Sequence, residues 1–375
     1  MRSRARAARH STPLVLAAVF LLASALWAGL FARRDAGIRF DPVRWELSTV
    51  AGKWLFVLGA PLRSDPDPDA AIARYFALAD RESPEGQRLE GVVEAAIAGR
   101  IDAVLRERGV RGRLAPGGPL AVWPPVDIEL AGSPLVLAVS PRARIALVRI
   151  ELLRADVPAA VAVALEARTE ADDPPRSALV VGTGGFSMYP AVVSNRSGYA
   201  QTVQTAAHEW VHHYLAFYPL GFGQPHGARL TINETVADLA GEEIARRVIE
   251  RFGDPTARAA PAATPPTAPP GIDRDRVLRE LRLEVDALLA ADRVADAEAR
   301  MEQVRQELER GGVHIRRLNQ AYFAWFGSYA ARSDAVDPLG GQLRGLRERA
   351  SSLAQFLAAV RGTTSRAEVE ALASR

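Results

Sequence analysis

Residues 204–243 read Q-T-A-A-H-E-W-V-H-H-Y-L, a short loop, and then I-N-E-T-V-A-D-L-A-G-E-E. At helical spacing His208 and His212 fall one turn apart on one face, with Glu209 beside them. Ala206, Ala207, Val211 and Leu215 supply an apolar face, so this is a helix that buries itself in a core. An H-E-x-x-H helix is suited to hold Zn²⁺ through its two imidazoles and to use the glutamate on the proton of a metal-held water. A fold built around it must bring a third protein ligand to the same face and leave one coordination position open.

The candidates for that ligand are His213, His226, Glu234, Glu242 and Glu243. His213 follows His208 by five residues and points off the ligand face. A metzincin continuation would need a glycine at position 215 and a histidine at position 218, where the chain has Leu215 and Tyr218. Glu234 fits better, because Asp238 lies one turn beyond it on the same face, and metal-bound histidines donate their second ring N–H to such a carboxylate. His226, in Q-P-H-G, is the fallback. A rival structural role exists for Glu234: T-I-N-E, residues 231–234, is also a capping box.

His208-Glu209-x-x-His212, followed 22 residues later by Asn233-Glu234-x-x-x-Asp238, resembles the gluzincin metallopeptidases of thermolysin type. The resemblance covers about 35 residues. It implies an α+β fold with a zincin-like core, His208, His212 and Glu234 as zinc ligands, Glu209 as general base, and Asp238 orienting a ligand histidine. It also implies an edge strand ahead of the active-site helix that holds substrate backbone, a place taken here by the glycine-interrupted run 177–193, which reads equally as a buried strand. The same enzymes supply a Tyr or His to the oxyanion from a later helix. His314, Tyr322 and Tyr329 are the candidates, and Tyr322 is the expected one, although 321–329 also reads as an aromatic core cluster.

Residues 13–32 are uncharged and apolar, long enough at about 1.5 Å per residue to cross a hydrocarbon core of about 30 Å. Arg2, Arg4, Arg6 and Arg9 precede this run, so the expected orientation is a cytoplasmic N-terminus and an extracytoplasmic catalytic part. A cleaved signal peptide is the alternative, since Ala23-Ser24-Ala25 resembles a cleavage site, but a cut there leaves apolar residues on the new terminus. Both readings export the remainder. Segment 35–65, with Trp45 and Trp54 to Leu58, is either interfacial or a core helix.

A metallopeptidase core is expected over 66–253, with helices at 70–80, 84–108 and 157–170, β-rich runs at 120–130, 134–139 and 145–152, and the site helices at about 199–219 and 231–251. The Pro/Ala-rich stretch 254–272 reads as a linker to a C-terminal helical domain, 273–375.

Composition removes several function classes. The formal charge of +3 comes from six arginines among residues 1–34, and Lys53 is the only lysine, so no basic patch points to nucleic acid. Cysteine is absent, which leaves His and carboxylates to hold any metal. The expected activity is that of a membrane-anchored zinc metallopeptidase acting on peptides or proteins, with oligomeric state open. Two alternatives remain: a membrane-tethered binding or assembly module whose site is structural or inactive, and a serine hydrolase using Ser187 in the incomplete G-x-S-x-G of Gly185-Phe186-Ser187-Met188-Tyr189.

Overall fold

In the computed structural model, described for residues 37–42, 44–46, 49, 67–113, 120–257 and 272–374, the chain is a mixed α+β protein with small sheets. The run 13–32 and nearly all of 47–66 lie outside the described residues, so the expected membrane span and most of the juxtamembrane segment are not among them. No helix of the described residues is long and apolar enough to cross a membrane.

Two capped helices open the described body. Helix α1, Pro68–Ala77, starts where Asp67 accepts the Ala70 N–H, and α2, Pro84–Glu107, where Ser83 accepts the Gly86 N–H; each has proline in its first turn. A short hairpin, β1 (Gly112–Arg113) and β2 (Leu120–Ala121), follows. Strand β3, Ile128–Ala131, then leads to β4, Leu135–Pro141, and β5, Arg149–Leu153. Helix α3, Ala159–Asp172, precedes β6, Arg176–Gly182.

The run expected as one strand over 177–193 is three. After β6 the chain passes Thr183 and Gly184 into β7, Gly185–Phe186, turns at a cis Tyr189–Pro190 bond, and returns as β8, Ala191–Ser194. Its glycines and proline, which weaken a continuous ladder, mark the places where the chain changes sheet. One antiparallel sheet has the order β5-β4-β6; the other has the order β3-β8-β7, with β3 and β8 parallel. Alternation along β6 sends Ala178 and Val180 to a cluster with Ala162 of α3, and Leu179 and Val181 to a second cluster on the opposite face.

The site helices are α4, Tyr199–Leu215, and α5, Ala228–Phe252. They bury Val203, Ala206, Ala207, Trp210, Val211 and Leu215 against Ile232, Val236, Ala237, Ala240, Ile244 and Val248 in one core, each large side chain contributing about 1.5–3 kcal/mol. The small residues on both faces allow a close crossing.

Past the linker, α6 (Arg274–Ala290) and α7 (Val294–Arg310) form a hairpin whose core includes Leu179 of β6. Helix α8, Gln320–Phe326, lies on β4 and β6. The last three helices, α9 (Leu339–Arg349), α10 (Leu353–Val360) and α11 (Arg366–Ala373), place Leu343, Leu353, Phe356, Leu357, Val360 and Val369 in the same core as α4 and α5. Arg347 grips Glu243 of α5 with two hydrogen bonds, at 2.6 and 2.8 Å. Part of the stretch 273–375, expected as a C-terminal helical domain, thus shares a core with the site helices. Most of the Pro/Ala-rich stretch 254–272 lies outside the described residues, and composition carries no information about whether the chain beyond it returns to the same core.

Candidate metal and catalytic centre

Helices α4 and α5 pack tightly at Gly241. A Cβ built there would stand 2.9, 3.0 and 3.1 Å from the backbone N, Cα and Cβ of His208, the first closer than real Cβ atoms come and the other two tighter than most contacts. Glu234, Asp238 and Gly241 follow one another at four and three residues, so one face of α5 presents two carboxylates and a gap to the H-E-x-x-H helix.

Across that contact the Nε2 atoms of His208 and His212 lie 2.9 Å apart, and each lies 3.4 Å from Oε2 of Glu234. Bonds of about 2.0–2.1 Å to a tetrahedral ion place neighbouring ligand atoms about 3.3–3.4 Å apart, so the two histidine–glutamate separations are those of such a ligand set. His208 Nδ1 is 3.0 Å from Oδ1 of Asp238. With Asp238 ionised that nitrogen carries the proton, and the Nε2 lone pair faces the other two donors. Two imidazoles and one carboxylate, without sulfur, form a donor set suited to zinc.

The charges at the centre balance one another. Burial lifts the Glu209 carboxyl above its usual range, and His208 and His212 oppose that rise only in part. Burial also works against ionisation of Glu234, but the two histidines outweigh it and hold this carboxyl far below the usual range. His208 responds inversely: burial disfavours its charge, yet hydrogen bonds to Asp238 and Glu234 raise its basicity well above that of an ordinary imidazole.

Glu209 is buried and turns to the sheet. A Cβ at Gly185 would lie 2.6 Å from Glu209 Oε1 and 2.7 Å from Thr205 Cγ2, so the glycine in β7 leaves the room that the carboxylate occupies. Ser194 donates its N–H to Gly184 C=O at 2.9 Å, so the next residue, Gly185, directs its own N–H and C=O to the open edge of the sheet. The edge of β6 is closed by contrast. Val180 N–H donates to Glu166 at 2.5 Å, Val180 C=O accepts from Arg316 at 2.9 Å, and Ala178 C=O accepts from Asn319 at 3.0 Å. Within 177–193, β7 alone turns backbone groups to a sheet edge that no described strand pairs.

The remaining candidates fall outside the centre. His213 donates from Nε2 to Met188 C=O at 2.6 Å and pins the turn after β7; burial pushes its pKa down to about 4, so it stays neutral. His226 is exposed, with Nδ1 3.3 Å from Gln224 C=O. Glu242 is exposed and Glu243 belongs to Arg347. His314 is exposed beside Glu309. Ser187 is exposed, and no histidine hydrogen-bonds it among the described residues. The capping-box role of Glu234 is excluded by the helix itself, because α5 begins at Ala228 and Glu234 sits two turns inside it.

Tyr322 is not at the centre. Its ring packs on Phe323 and Phe326, its hydroxyl accepts a hydrogen bond from Arg274 at 3.2 Å, and it belongs to the core of α6 and α7. Tyr329 is the aromatic residue that reaches the site, its ring centroid 6.3 Å from that of His208. Two full turns separate the two tyrosines, so an unbroken helix would have pointed both the same way. Helix α8 instead ends at Gly327, and the following turn is tied to α5 by Ala330 N–H donating to Thr235 Oγ1 at 3.1 Å. Burial raises the Tyr329 pKa well above its ordinary value, and the Glu234, Asp238 and Glu209 carboxylates raise it further, so the phenol keeps its proton.

Comparison of the chain with protein-family models, curated proteins and solved structures found no match in any of the three. Sequence reasoning passed over Thr235 and Gly241. The one available signal was Gly241, a glycine in the middle of a helix and in phase with Glu234 and Asp238.

Proposed function

We propose that this chain is a zinc-dependent peptidase, tethered to a membrane by residues 13–32, with a zincin-like core. The observation that carries the reading is the convergence of His208, His212 and Glu234, with Asp238 behind one histidine and Glu209 free of the ligand set. His208, His212 and Glu234 would hold the ion. When bound, such an ion supplies a Lewis acid and brings the pKa of water towards about 7.

The protein groups supply the rest. Glu209, buried beside the histidines, receives a proton from the attacking water and returns it to the leaving amine. Tyr329, held protonated, donates a hydrogen bond to the oxyanion of the tetrahedral intermediate. Gly185 offers N–H and C=O to an extended peptide backbone. Asp238 keeps the His208 ring in one tautomer and one orientation.

The test is peptide hydrolysis by the purified full chain: a chelator should stop it and added zinc restore it, whereas cleavage that survives the chelator contradicts the proposal. In the same assay Tyr329→Phe should retain its metal and lower kcat by about 10²–10³-fold, since only one oxyanion donor is lost. A tyrosine that merely packs against His208 would leave kcat within a few-fold.

A further inference from the structure

Residues Ile38 to Phe40 form a strap between the two sheets. Phe40 N–H donates to Leu152 C=O at 3.1 Å and Arg154 N–H to Ile38 C=O at 2.9 Å, so the strap adds itself to the free edge of β5, with Arg39 bridged to Leu153. At its far end the Phe40 ring meets Phe186 of β7 edge to face, with centroids 6.2 Å apart and planes at 79°. Trp45 also packs on Phe40, with ring centroids 6.5 Å apart. All three rings are only half-buried.

The position of this cluster gives it a use. Gly185 turns its Cβ direction to Glu209, and alternation along the strand sends the Phe186 ring to the opposite face of the same edge. A peptide paired with Gly185 has the same alternation. The side chain of the residue it pairs points to the catalytic helix, and the side chains on either side of that residue point to the face of Phe186 and Phe40. We propose that the strap is a wall of the substrate cleft, and that Phe40 with Phe186 selects peptides with a bulky apolar side chain next to the residue held by Gly185. This rests on the peptidase reading.

The experiment uses the zinc-loaded full chain and peptides that differ only by phenylalanine or alanine at each position within two residues of the scissile bond. Phenylalanine at one of these positions is expected to raise kcat/KM by about 10- to 100-fold, the effect of burying one aromatic side chain. Phe40→Ala and Phe186→Ala should each lower that ratio by about 10-fold, while the main-chain bonds of the strap to β5 keep the fold, checked by an unchanged thermal midpoint. A wild-type chain that cleaves both peptides equally well overturns the proposal and leaves the peptidase reading standing. So does a ratio that neither variant changes. A wild-type chain that cleaves no peptide overturns the peptidase reading itself, and the proposal with it.

Discussion

Glu209→Gln is expected to lower kcat for peptide hydrolysis by about 10²–10⁴-fold without reducing the metal content of the full chain. Glutamine has the shape of the native side chain and fits the space left by Gly185, where Oε1 of Glu209 would lie only 2.6 Å from a Cβ. The substitution removes the proton acceptor and leaves the three converging ligand atoms in place. Metal analysis and steady-state kinetics on one preparation separate the possible roles. Loss of metal together with activity would make Glu209 a ligand, and an unchanged kcat would remove it from the mechanism.

Gly241→Val is expected to damage the site from a residue that carries no chemistry. In an isolated helix the change would be mildly favourable, because glycine in a helix interior costs about 0.5–1 kcal/mol against alanine and valine recovers part of that. Here the new side chain meets the His208 backbone, and overpacking of this kind costs about 1–3 kcal/mol, which outweighs the gain. Relief requires α4 and α5 to move apart. That displaces His208 and His212 from Glu234 and should weaken metal binding by more than about 100-fold, at least as much as losing an orienting partner. Gly241→Ala should show the same two effects at smaller size. Metal affinity in Gly241→Val equal to that of the wild type would mean that the helix contact does not set the ligand geometry.

The convergence of these side chains was largely legible because it is written in helical periodicity. His208 with His212, and Glu234 with Asp238, are each one turn apart, and the structure sets the two pairs face to face. What escaped depends on where elements stop. Tyr322 and Tyr329 share one aromatic stretch, and only the end of α8 at Gly327 decides that Tyr329 turns to His208. The capping-box alternative for Glu234 arose because A-R-L, at the true start of α5, carries no capping signal: its N-cap is Gly227, without a side-chain bond. The hydrophobicity of 177–193 showed strand character but not that β6 and β7 belong to different sheets. The return of α9, α10 and α11 to the core of α4 and α5 rests on long-range packing, to which local composition is blind.

Metal stoichiometry tests the centre most directly. Zinc measured by elemental analysis after dialysis of the full chain should be about one ion per chain in the wild type, the number one three-residue ligand set can hold. It should be close to zero in His212→Ala and in Glu234→Ala, with the helical content of both variants retained. A wild-type chain that takes up no zinc, or variants that keep it in full, would contradict the assignment of His208, His212 and Glu234 as a metal centre.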